Sequence, residues 1–284
     1  MRDRPKNLRW FRLSDIDWDS PEIADEYDRN CEHQFQKGSL LVSMMGFSEG
    51  HNVLDAGCGT GRQATNVAGI IGPSGRLTGI DPSSYRISLA NKKIAGHSGC
   101  PVRFLVGQAE NLSMIPDDSV DHAYFCSSFH WIDDKKTALG EVFRVLKTGG
   151  RVGMTTRNRD NQDLMTSLEK ILKKYYVSMH VKKAGGTKRV TAPELGELLS
   201  AAGFTGISLE TRVMPRNEGT QDEHSMHLST EDRITEQLKD LPDEIREKIM
   251  QEIDGELEKQ QNPGSPKRGN CTLFAIASKP GKGM

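Results

Sequence analysis

The stretch HNVLDAGCGTGR sets Asp55 at the end of an apolar run, then Gly57, Gly59 and Gly61 at alternate positions, with Cys58 and Thr60 between them. Glycines there let the chain turn sharply and let a ligand approach the main chain, while a helix starting just beyond offers N–H groups with no partner inside the helix. Spacing narrows the ligand. A dinucleotide fingerprint requires G-x-G-x-x-G or A, but the position corresponding to the last residue is Arg62, and a G-x-x-x-x-G-K phosphate loop is absent. Asp81 in RLTGIDPSSYR ends the next apolar run, about twenty residues past Gly61, where a carboxylate can accept hydrogen bonds from both hydroxyls of a ribose. Gln108 in FLVGQAENL follows a third run, where its amide and the Ala109 main chain can read the edge of an adenine. Together these positions describe a nucleoside site. The plainer alternatives are a turn aspartate and a solvated glutamine.

A second group of residues could face whatever reacts with the nucleoside ligand. In SSFHWIDD, Ser127 follows a fourth run, His130 is placed to orient an anion or take a proton near neutral pH, Trp131 could wall a pocket, and Asp133 could cap the next helix. Tyr27 and Gln36, upstream of the glycine loop, are candidate lid contacts. Arg157, with Arg159, Lys182, Lys183 and Arg189, forms a basic set suited to a carboxylate or to solvent. No metal site is expected: His224 and His227 beside Asp222 and Glu223 lack a convincing fourth ligand, and the five cysteines are scattered without a Cys-x-x-Cys pair. Cys58 and Cys126 read as small buried side chains.

The elements that must hold these residues alternate. Strand-like runs at 53–54, 77–80, 102–106, 120–126 and 151–155 are separated by stretches of helical period after Thr60, at 83–95 and at 135–146. That is the pattern of a parallel sheet covered on both faces. Further on, helices are expected at 163–179 and 192–202, with Gly203 ending the second, and two more strands at 204–213 and 272–278. Between those strands lie a polar loop at 215–227 and a charged helical segment in which Pro242 must start or interrupt a helix. Ile245, Ile249, Ile253 and Leu257 form an apolar stripe for docking on the same protein. The expected organisation is a helical cap over 1–50, an α/β core over 51–214 with a lid insertion at about 160–190, a polar and helical insertion over 215–262, and a final strand and tail over 263–284.

With 38 Lys plus Arg against 39 Asp plus Glu in 284 residues, no basic surface draws the chain to nucleic acid. No apolar run approaches the ~18 residues needed to cross a bilayer, and the start lacks the apolar centre of a signal peptide. The expectation is a cytoplasmic protein with reduced thiols and a small-molecule partner, with no membrane insertion; a homodimer is compatible with it.

The order LDAGCGTG, GIDPS, GQAENL, DHAYFCSSFHW and EVFRVLKTGGRVGM resembles the class I methyltransferases that use S-adenosyl-L-methionine (SAM). The resemblance implies a doubly wound, seven-stranded, mostly parallel sheet of the Rossmann-like methyltransferase fold, with helical cap elements. It implies that Asp55 and the loop Gly57, Cys58, Gly59, Thr60, Gly61 hold the methionine portion of SAM, that Asp81 binds the ribose, that Gln108 and Ala109 contact the adenine, and that Ser127 lies close to the sulfonium. Many relatives carry Asp at the Gln108 position. Within the family, FHWIDD and the segments after it look most like the branch containing trans-aconitate and related carboxylate O-methyltransferases, while the quinone and sterol C-methyltransferases share the GQAENL-like and RVLKTGG-like segments. Macromolecular methylation is disfavoured because an Asn-Pro-Pro-Tyr type motif does not follow the fourth run, and arsenic methylation because the thiol pattern differs. A nonenzymatic SAM-binding protein and a nicotinamide oxidoreductase are the alternatives of other classes, the second opposed by Arg62.

Overall fold

The computed structural model describes residues 20–95, 99–159, 171, 174–175, 188–214, 238, 241–261 and 271–281. Seven strands form one sheet: β1 (Asn52–Ala56), β2 (Arg76–Asp81), β3 (Val102–Val106), β4 (Val120–Cys126), β5 (Leu146–Arg157), β6 (Thr205–Val213) and β7 (Cys271–Ser278). Their spatial order is β3-β2-β1-β4-β5-β7-β6. The first five strands pair in parallel, and β7 is inserted antiparallel between β5 and β6. This is the doubly wound, mostly parallel sheet expected from the sequence.

Both faces are covered, which is why consecutive residues, Val53, Leu54, Asp55 and Ala56 of β1 and His122, Ala123, Tyr124 and Phe125 of β4, are buried. Helices α1 (Pro21–Asn30), α2 (Glu32–Met45), α3 (Arg62–Ile71) and α4 (Ser84–Ile94) precede or alternate with the early strands. Leu41, Val42 and Met45 of α2 and Ala64, Val67, Ala68 and Ile71 of α3 bury against Val53, Leu77 and Tyr124. On the opposite face, α5 (Lys135–Val145) and α6 (Ala192–Ala201) supply Leu139, Val142, Leu195 and Leu199 to a core with Leu54, Phe125, Met154 and Leu273. A seventh helix, α7 (Asp243–Gln261), begins directly after Pro242, and its Ile249 and Ile253 bury with Leu238 against Ile171 and Tyr175.

Local chemistry explains most boundaries. Ser83 Oγ accepts from the Arg86 N–H at 3.1 Å to start α4, and a Thr191–Glu194 capping box starts α6. Gly203, at φ +95°, follows the last residue of the α6 cap, Ala202. Two details differ from expectation. Asp134, not Asp133, caps α5, its Oδ1 accepting from the Thr137 N–H at 3.0 Å, while Asp133 pairs with Lys188 at 3.0 Å. The fifth strand begins at Leu146 rather than 151, because Leu146 leaves α5 with extended dihedrals and the pairing with β4 absorbs an irregularity between Val120 and His122. Apart from Ile171, Lys174 and Tyr175, the helix expected at 163–179 lies outside the described residues, as do the loop at 215–227, Lys182, Lys183 and the His224–His227 pair.

The sheet order positions the site. After β3 the chain returns to the other side of β1, so the connections leaving β1 and β4 diverge from adjacent strand ends and leave a crevice between them.

Candidate functional site

The crevice holds a cleft of about 380 Å³, its open mouth included, lined by Tyr27, Gln34, Asp55, Gly57, Gln63 and Cys126 among others. At its floor Asp55 and Tyr124 are register partners on β1 and β4, and the Tyr124 hydroxyl donates to Asp55 Oδ2 at 2.7 Å. Asp55 is 1 % exposed. Burial pushes its carboxyl up to about 7; the Tyr124 hydrogen bond opposes that rise and the nearby Asp81 charge adds to it. Its Oδ1 has no hydrogen-bond partner.

The glycine loop wraps the end of β2. Gly57 and Cys58 both donate to the Ile80 carbonyl, at 2.8 and 2.9 Å. Asp81 then ties two elements together: Oδ2 accepts from the Gly59 N–H at 2.9 Å and Oδ1 from the Ser83 N–H at 3.0 Å, at the start of α4. Gly57 has φ +80°, and a Cβ there would sit 2.4 Å from Ser128 Cβ, so both the turn and the space require glycine. Ser127 is itself in the left-handed region at φ +55°, held by its N–H donating to the Thr155 carbonyl and hydroxyl at 3.1 and 2.9 Å. Such a serine costs on the order of 1 kcal/mol and directs the chain from β4 back over the crevice.

The segment from β1 to the start of β5 carries the decisive likeness: residues 53–150 match the family model described as a methyltransferase domain. An O-methyltransferase of Aspergillus nomiae is 34 % identical over 48 % of this chain and 59 % of its own length. A demethylmenaquinone methyltransferase of Lactococcus lactis is 33 % identical over 46 % of this chain and 53 % of its own. The chain spans about half the length of the curated relatives it matches. Among solved structures, phosphoethanolamine N-methyltransferase 2 of Haemonchus contortus, in complex with S-adenosyl-L-methionine, superposes with a TM-score of 0.61 over 94 % of this chain and 59 % of its own, at 16 % identity, a likeness of fold.

Around this segment, α1 and α2 close one side of the cleft. Thr60 Oγ1 donates to Asp28 Oδ1 at 2.5 Å, Lys93 pairs with the same carboxylate, and Arg62 pairs with Glu32. Tyr27 lies against the glycine loop, 3.4 Å from where a Cβ of Gly59 would be, with the Arg86 guanidinium 4.5 Å over its ring. Tyr27 therefore faces the glycine loop and the cleft. Gln36 is turned along its own helix, its Nε2 donating to Glu32 Oε1 at 3.3 Å, and is not among the residues lining the cleft. Gln108 is exposed and Ala109 buried at the end of β3, beside Asp81, whose carbonyl accepts from the Gly107 N–H at 3.1 Å.

His130 sits in a single 3₁₀ turn after β4 and is 1 % exposed. Neither ring nitrogen has a hydrogen-bond partner, and its carbonyl accepts from the Lys188 N–H at 2.8 Å. Burial first, then the positive charges of Arg157, Arg189, Lys37 and Lys135, hold the imidazole well below its ordinary pKa. Both influences favour the neutral imidazole. Trp131 is half exposed, its ring centroid 5.3 Å from that of His130. Burial also pushes the Cys126 thiol up to about 12 and Cys58 well above its usual value, so neither is a thiolate at neutral pH.

Among the cleft residues that the sequence reading missed are Gln34 and Gln63, both buried. A signal existed for Gln63: it stands on the helical face that also carries Ala64, Val67, Ala68 and Ile71, a polar residue where the period demands an apolar one.

Proposed function

We propose that the protein is a SAM-dependent methyltransferase that methylates a small-molecule acceptor by in-line displacement, with a carboxylate oxygen as the acceptor atom. One observation carries the cofactor: a buried acid with an unsatisfied oxygen, Asp55 Oδ1, lies beside a glycine cradle where Gly57 has no room for a side chain. An ammonium group and a ribose fit these donors and acceptors, with Asp55 taking the first and Asp81, already fixed by Gly59 and Ser83, taking the second. When bound, SAM supplies a methyl group already activated on a sulfonium. The protein's task is alignment and dryness. Ser127 and the turn after it orient the acceptor, α1 and α2 exclude water as a cap, and Tyr124 keeps Asp55 in place. Neutral His130 contributes a fixed dipole or hydrogen bond, not a proton carrier, and the cations acting on it favour an anionic acceptor. The five free thiols suit a reducing compartment, the cytoplasm.

The test is calorimetric titration with SAM, S-adenosylhomocysteine and NAD, followed by transfer of labelled methyl from SAM to small carboxylic acids. Micromolar binding of the first two ligands without NAD binding, and labelled ester, are expected; preference for NAD overturns the reading. The relative named for demethylmenaquinone supports a second reading, carbon methylation of a quinone-like acceptor. Label in a base-stable product would select it. Cofactor binding with no product from any acceptor would mark a nonenzymatic SAM-binding protein.

A further inference from the structure

Among the described residues, the buried side-chain atoms without a hydrogen-bond partner fall in separate places. Gln34 Oε1, Asp55 Oδ1 and both carboxamide atoms of Gln63 belong to residues lining the cofactor cleft, and His122 Nδ1 lies near the start of β4. The others are His130 Nδ1, His130 Nε2 and Thr156 Oγ1. His130 is 1 % exposed and Thr156 2 %, and neither lines the cleft. Both stand where β4 and β5 end side by side: Cys126 is opposite Thr155, and the 3₁₀ turn carrying His130 packs against β5. A third segment joins this corner. The Lys188 N–H donates to the His130 carbonyl at 2.8 Å, while Val190 bridges to Asn158 and its carbonyl accepts from the Arg159 N–H at 2.9 Å. Arg157, at the end of β5, and Arg189, between those two attachments, are thereby brought beside the turn, and their charges act on the imidazole together with those of Lys37 and Lys135.

Native structures satisfy buried polar groups or reserve them for a ligand. A neutral imidazole offers one donor and one acceptor, a threonine hydroxyl adds another donor, and each guanidinium carries five, enough to serve a ligand besides a partner elsewhere. A carboxylate suits this corner, because its two oxygens match the guanidinium fork and accept from the imidazole and the hydroxyl. Its lone pairs are then engaged by donors, which makes a carboxylate held there a poor nucleophile. Resting on the methyl-transfer reading above, we propose that His130, Thr156, Arg157 and Arg189 form a carboxylate anchor at the ends of β4 and β5, which holds an acid group of the acceptor that is not itself methylated. The acceptor therefore carries an anionic group besides its reacting atom.

The experiment titrates acetate into the full chain carrying ¹³C-labelled histidine, at constant ionic strength, with and without S-adenosylhomocysteine, and follows the His130 ring signals. Acetate is expected to shift them saturably and acetamide to leave them in place. Arg157→Gln and Arg189→Gln should each weaken acetate about tenfold, the loss of a charge-assisted pair, and keep S-adenosylhomocysteine affinity within about twofold. Arg157→Lys and Arg189→Lys keep the charge without the fork; they should lose less, and they serve if the glutamine variants fail to fold. With labelled SAM, bound acetate should give no labelled ester. Absence of a saturable shift, acetate affinity unchanged in both arginine variants, or inorganic phosphate binding more tightly than acetate overturns the carboxylate anchor, and labelled methyl acetate overturns its non-reacting role. Wild-type protein that binds acetate but not S-adenosylhomocysteine overturns the cofactor reading, and with it the assignment to an acceptor, while the anion site stands.

Discussion

At the scale of single residues, Asp55 couples binding to pH. Its carboxyl is held at about 7 by burial, and the charged form is the one that pairs with an ammonium. Affinity for S-adenosylhomocysteine should therefore be constant above pH 8 and fall about tenfold by pH 6, approaching one decade per unit below that. Titrations from pH 5.5 to 8.5 measure this, and Asp55→Asn should flatten the profile at low affinity. The same shift has a stability consequence of fixed sign. The folded pKa is raised, so stability from this group is fully present below the unfolded value near 3.8 and is lost as pH rises through about 7, by at most about 4 kcal/mol. Ligand-free Asp55→Asn should then melt higher than the wild type at pH 8. Gly57→Ala tests the cradle: its Cβ needs φ +80° and a displaced Ser128, whose hydroxyl donates to the Ala56 carbonyl at 2.6 Å. It should destabilise the protein by about 1–3 kcal/mol in denaturant titration and remove detectable ligand binding.

At the scale of elements, polar contacts link α1 and the start of α2 to the glycine loop, α3 and α4. Asp28 bonds the buried Thr60 and pairs with Lys93, and Glu32 at the start of α2 pairs with Arg62, the four charged side chains being partly exposed. Each such pair contributes roughly 0–1 kcal/mol, screened by salt, so the attachment is weak enough to open. Deeper in α2, Leu41 and Met45 are fully buried in the sheet face. Motion should therefore be confined to α1 and the first turn of α2. Hydrogen exchange should be fast over 21–30, faster still in Asp28→Ala, and slowed by S-adenosylhomocysteine, while 40–45 stays protected. Exchange over 21–30 that ignores the ligand would remove α1 from the cap.

For the whole molecule, the last strand closes the sheet. β7 pairs with both β5 and β6, and Leu273, Phe274, Ala275 and Ala277 are at most 1 % exposed. Ending the chain before 271 would strip those residues from the core and leave β5 and β6 with unpaired edges, so the truncated protein should show no cooperative melt by circular dichroism and should aggregate. The Ile249–Ile253 cluster is separate from the two sheet cores, so Ile249→Ala should loosen α7 with little effect on ligand affinity.

Much of this was legible in the sequence because it depends on local rules. Alternating apolar runs and helical periods specify a covered parallel sheet; the glycine spacing with Arg62 disfavours a dinucleotide loop; and Asp81 stands at the end of an apolar run. What the sequence could not supply was depth. His130 follows a strand end whether it is buried or exposed, and only its burial and the cations acting on it lower its pKa. Asp55 looks like an ordinary charged ligand until Tyr124, sixty-nine residues away in the chain, meets it across the β1–β4 pairing. The glutamine of α3 becomes a site residue because α2, arriving from earlier in the chain, seals it beneath Gly38. Hydrogen-bond satisfaction and desolvation are properties of assembled neighbours, and those neighbours are set by topology rather than by distance along the sequence.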